Sequence, residues 1–135
     1  MYKNILVPIA FDSDAKVEAA MSVARELAAE GAEVTLLHVI EHIPGYAVTY
    51  MPPDYLVQSH KAVQDDLDAL AAKMDGARGV VVDGHSGRTI LDYAADAGSD
   101  LIVIASHRPG MGDLLMGSTA TQVVRHAKCA VHVLR

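Results

Sequence analysis

The chain has 135 residues, a net charge of −6 and 51 % hydrophobic residues. That length fits one domain spanning residues 1–135, and that apolar content excludes a disordered chain. The acidic balance, 17 Asp and Glu against 11 Lys and Arg, excludes a surface built for nucleic acid or an anionic membrane, yet leaves room for one local basic pocket.

The first apolar run is Ile5-Leu6-Val7-Pro8-Ile9. It is nearly continuous rather than alternating, as expected of a parallel strand with both faces covered. Asp12, Ser13 and Asp14 then offer caps for a helix whose stripe is Val17, Ala20, Ala24 and Leu27, with Gly31 after its end. The second strand is expected over Val34–Ile40. Residues 41–57, EHIPGYAVTYMPPDYLV, break the rhythm with three prolines and read as a long loop at the carboxyl edge, either functional or a surface excursion.

A second helix carries Val63, Leu67, Leu70 and Met74, closed by Gly76. The run Gly79–Val82 is the third strand. Ile90, Leu91, Ala94 and Ala95 form a shorter helical stripe ended by Gly98, and Leu101–Ala105 is the fourth strand. Ser118 and Thr119 are read as caps of a last helix with Ala120, Val123, Val124 and Ala127 on its apolar face. Arg125, His126 and Lys128 supply favourable charge to its final turn. Ala130–Leu134 is the fifth strand. This alternation predicts an α/β fold, an open parallel five-stranded sheet with right-handed crossovers and helices on both faces.

Ligands of such sheets bind beyond the carboxyl ends of the strands. The residues there are Pro8, Ile9, Ala10 and Asp12 after the first strand, and His38 and Val39 at the end of the second. Asp83 follows the third, and Ala105, Ser106, His107 and Arg108 follow the fourth. The stretch after the fourth strand is the strongest local signal. Gly110, Gly112 and Gly117 precede a helix start, where backbone amides and a partial positive charge suit an anion. Ser118 and Thr119 hydroxyls, with His107 and Arg108, would complete a cradle for a di- or triphosphate. The same residues also read as ordinary capping beside a glycine turn. Asp12 can cap the first helix or hold a ribose or a magnesium-bound water.

Other chemistries find less support. The seven histidines are scattered and none forms a helical zinc pair, so no metal site is expected. His38, inside an apolar strand, reads as a core histidine with its polar atoms satisfied. Cys129 is the only cysteine, which rules out an intramolecular disulfide, and it reads as a small buried apolar residue. MYKNILVPIA lacks the features of a signal peptide, and no apolar run approaches the roughly 20 residues of a membrane helix. A cytoplasmic location is expected.

Three blocks, ILVPIA, LLHVIE and IVIASHRPGMGDLLMGSTATQVVRHAKCAVHVLR, resemble the universal stress protein family over nearly all of 1–135. The resemblance implies a Rossmann-like sheet in the order 3-2-1-4-5, binding of ATP or another adenine nucleotide, and dimerisation. Gly117 and Ser118 match the final pair of the family's glycine pattern. Ala105 and Arg108 stand where its first two glycines belong, and the gap from Arg108 to Gly117 is one residue short. Ala10 replaces an aspartate that touches adenine or ribose in ATP-binding members, and Val39 matches the apolar position beside the base.

The expected function is a regulatory stress-response module that binds ATP, alone or with Mg2+, through Pro8, Ile9, Ala10, Val39, Ala105, His107, Arg108, Gly110, Gly117, Ser118 and Thr119. It would act without robust catalysis, with no catalytic residue assigned, and through a regulatory partner. In the 3-2-1-4-5 order, residues 130–134 form an apolar edge without Pro or Lys, which predicts antiparallel pairing in a homodimer. Two other readings stand beside this one: a partner-binding dimer with an empty nucleotide pocket, and a slow ATP hydrolase. A phosphoacceptor receiver is not expected, because no lysine and final helix follow the fifth strand. A flavin carrier is not expected either, because aromatic residues are few.

Overall fold

Ile5, Leu6 and Val7 are consecutive and all fully buried. A strand achieves that only when both faces of its sheet are covered. The computed structural model describes residues 1–41, 45–52, 54–106 and 117–135. In chain order the elements are β1 (Tyr2–Pro8), α1 (Asp14–Leu27), β2 (Ala28–Ile40), α2 (Gly45–Val48) and α3 (Tyr55–Ala71), then β3 (Ala77–Asp83), α4 (Ser86–Ala97), β4 (Leu101–Ala105), α5 (Ser118–His126) and β5 (Ala130–Leu134).

All described strand pairings are parallel, and the sheet order is β3-β2-β1-β4-β5, as expected. Two apolar layers flank it. One packs Val17, Ala20, Met21 and Ala24 of α1 and Leu67 and Ala71 of α3 against Ile5, Val7, Leu36 and Val103. The other packs Ile90 and Ala94 of α4 and Ala120 and Val123 of α5 against Leu6, Leu37, Ile102 and Ile104.

The helix limits follow local chemistry. Ser13 caps α1, its hydroxyl accepting from the Lys16 amide at 3.4 Å. Gly98 ends α4 in the left-handed region at φ 71°, a conformation glycine adopts without steric cost. The Asp100 carboxylate accepts from the amides of Lys3 and Asn4 at 2.9 and 3.0 Å, which anchors the start of β1.

The structure corrects several expectations. Gly117, not Ser118 or Thr119, is the N-cap of α5, and no side chain caps that helix. Extended backbone at Gly117 places Ser118 already inside the first turn. Residues 41–57 are not one loop: α2 occupies Gly45–Val48, and Tyr55, Leu56 and Val57 belong to α3. Residues 42–44 and 53 of that segment lie outside the described residues. Gly31 does not directly follow α1. It falls within the range of β2, where the register against β1 shifts between Tyr2 and Asn4, the irregularity expected where glycine takes a positive φ in a strand. Val124 is 43 % exposed and leaves the buried stripe of α5.

Candidate functional site

Chain connections diverge from β1: β2 lies on one side of it and β4 on the other. Such a switch point opens a crevice at the carboxyl edge of a parallel sheet. A cavity of about 280 Å³ occupies it here, close to the lower limit of ligand sites. One part of its wall is apolar and comes from the strand ends: Pro8, Ile9, Ala10, Val39, Ile104 and Ala105. Another part is polar, formed by Glu41 after β2, Ser86 at the start of α4, and Gly117 and Thr119 at the start of α5.

The structure therefore gathers Pro8, Ile9, Ala10, Val39, Ala105, Gly117 and Thr119 around one space. Ser118 is exposed and not part of that wall. His107, Arg108 and Gly110 lie outside the described residues, as do Gly112 and Asp113.

At the phosphate end of the expected cradle, hydrogen bonds fix the backbone. The Gly117 amide donates to the Ser106 carbonyl at 2.6 Å. It is therefore engaged within the fold, whereas a cradle would need it open to an anion. The amides that follow it start a helix and have no intrahelical acceptor. Ser106 is buried; its amide and its hydroxyl both donate to the Leu134 carbonyl, at 2.8 and 2.9 Å. This short chain of bonds ties the start of α5, the end of β4 and the end of β5 together.

Sequence reasoning missed part of the site. Glu41 Oε1 accepts from the Ser86 amide at 3.1 Å and from the Ser86 hydroxyl at 2.8 Å. Ser86 Oγ lies 3.0 Å from Thr119 Oγ1. The available signal was Glu41 standing directly after a strand at the carboxyl edge. His38 is satisfied, as expected, but at the cavity wall rather than in the core. Its Nδ1 lies 2.7 Å from the Ile9 carbonyl, which can only accept, so Nδ1 carries the proton. Its ring packs on Phe11 with centroids 5.2 Å apart. Asp12 and Lys16 also reach the wall.

Cys129 is half-buried beside the α4 and α5 layer, and burial pushes its thiol above the ordinary range. Among the described residues no three His, Cys, Asp or Glu side chains gather as a metal-ligand set. No described helix is long and apolar enough to cross a membrane.

The family model described as universal stress protein family matches residues 1–135. The chain belongs to the universal stress protein family. Universal stress protein A homolog 2 of Coxiella burnetii is 31 % identical over 141 aligned positions, covering 99 % of this chain and 95 % of the relative. The solved universal stress protein UspA of Lactobacillus plantarum is 30 % identical with a TM-score of 0.75, covering 99 % of this chain and 98 % of that one. Two more distant family structures share the fold and were solved with ligands. One, from Archaeoglobus fulgidus, is in complex with dAMP (TM-score 0.68, 16 % identity, 99 % and 98 % covered). The other is in complex with cAMP (TM-score 0.63, 22 % identity, 99 % and 97 % covered).

Proposed function

We propose that this universal stress protein is a regulatory module that binds an adenine nucleotide, ATP, in the switch-point cavity and acts without robust catalysis. The observation that carries this reading is the cavity itself. Its lining combines the apolar Ile9, Val39 and Ile104 with the amino end of α5. The apolar residues suit a base, and the helix end suits a phosphate. Because the Gly117 amide is engaged, the phosphates rely on the amides that follow it, and on His107, Arg108 and Gly110, which precede it in sequence. Mg2+ would arrive with the triphosphate, with Asp12 placed at the wall to meet its water shell. The dAMP and cAMP complexes of family members support the base and the phosphate as ligand class.

The same reading makes the protein a cytoplasmic homodimer that signals through a regulatory partner. Its β5 edge pairs antiparallel with a second copy, since β5 lies at one end of the sheet order and an unpaired apolar edge favours such pairing.

Isothermal titration with ATP and Mg2+, together with thermal melts, tests the binding. Heat release and a raised melting temperature are expected. Absence of both at millimolar ATP refutes the reading. One observation favours an alternative, a partner-binding dimer with an empty pocket: Tyr46 and Tyr50 near α2 are 77 % and 88 % exposed, as in surfaces that meet other proteins. A nucleotide released on denaturing the purified protein would exclude it.

A further inference from the structure

The wall formed by Glu41, Ser86 and Thr119 differs from the rest of the cavity in where its protons lie. An ionised carboxylate only accepts hydrogen bonds. Ser86 donates both its amide and its hydroxyl proton to Glu41 Oε1, at 3.1 and 2.8 Å. A hydroxyl has one proton, so in the 3.0 Å contact between Ser86 Oγ and Thr119 Oγ1 the threonine must donate. Every hydroxyl proton of this wall is then directed along it. Toward a ligand these three side chains can act as hydrogen-bond acceptors. Phosphate oxygens are acceptors too and find no hydroxyl proton to take there. Neutral hydroxyl groups are attracted.

We propose that Glu41 selects the sugar of the bound nucleotide by accepting hydrogen bonds from the vicinal 2′- and 3′-hydroxyls of ribose. The inference rests on the nucleotide reading above and deepens it. Glu41 follows β2, the strand beside β1. In dinucleotide-binding doubly wound folds an acidic residue reaches the ribose 2′-hydroxyl. The amino end of α4 holds the carboxylate in position through Ser86, and its partial positive charge favours the arrangement. With the diol on this wall, the phosphates turn away from Glu41. The Thr119 hydroxyl, expected from sequence to serve a phosphate, serves Ser86 instead.

The experiment is titration calorimetry with ATP, 2′-deoxy-ATP and 3′-deoxy-ATP on the wild-type chain, Glu41→Gln and Glu41→Ala. Loss of either hydroxyl is expected to weaken wild-type binding by about tenfold or more, the range for hydrogen bonds to a charged group. Glu41→Ala removes both bonds from ATP and the one that each deoxy nucleotide keeps, so all three fall to a common affinity, ATP by about a hundredfold and each deoxy nucleotide by about tenfold. Glu41→Gln, which keeps one acceptor oxygen, falls between. Thermal melts check that the variants fold, and the wild-type comparison decides even where Glu41→Ala does not. Equal wild-type affinity for all three nucleotides, or a ribose preference unchanged in the variants, overturns this inference and leaves the nucleotide reading intact. Failure of wild type to bind any of the three overturns both.

Discussion

At Gly79 on β3 an added Cβ would lie 2.7 Å from Leu67 Cβ and 3.1 Å from the Leu67 backbone carbon on α3. Neither can swing aside without moving the helix, whose Leu67 is fully buried. Gly79→Ala is therefore expected to destabilise the fold by about 1–3 kcal/mol, the usual cost of overpacking. Urea unfolding checks this; an unchanged midpoint would refute the close approach. The sequence showed Gly79 only as the start of a strand. Nothing local marks which helix presses on it, because Leu67 comes from another element. The site has the same limit. Pro8, Ile9, Ala10, Val39 and Ala105 were legible because the ends of parallel strands share an edge. Glu41, Ser86 and Thr119 meet only after three separate elements are folded, and the direction of their protons follows from those contacts alone.

Among the elements, α5 combines two properties that sequence could not separate. Ser118 and Thr119 before an apolar stripe look like caps, yet the helix begins one residue earlier and Gly117 takes the cap position without a side chain to fill it. Ser118 stands exposed in the first turn. A carboxylate there favours the helix and opposes a bound phosphate. Ser118→Glu is thus expected to stabilise the fold by about 0.3–1 kcal/mol while weakening ATP binding by about tenfold. Melting curves and calorimetry on one sample read both effects. A variant that gains stability and keeps its affinity would move the phosphates away from α5. The short α2 escaped the sequence reading because Gly45–Val48 is a single turn, too brief to show a period. The longer helices were legible because their apolar residues recur along one face.

For the whole molecule, the continuous apolar runs and the helices between them specify the parallel sheet, since each strand must be covered on both faces. The strand order was legible through the family resemblance rather than from periodicity, which says nothing of neighbours. That order leaves β5 as an edge with Val131, Val133 and Leu134 half-buried on its own sheet. Light scattering at micromolar concentration is expected to give twice the 14.3 kDa of one chain; the mass of a single chain refutes edge pairing.

Ser106 gives the molecule a short path between its crevice and that edge. Its carbonyl takes the Gly117 amide, while its own amide and hydroxyl hold the carbonyl of Leu134 on β5. A ligand that shifts the first turn of α5 pulls on the same residue that positions the last strand. If the protein binds a nucleotide and pairs through β5 as proposed, thermodynamic reciprocity applies: whatever factor occupancy adds to self-association, self-association must add to occupancy. Protein concentration would act as an effector of nucleotide affinity, and the nucleotide as an effector of assembly.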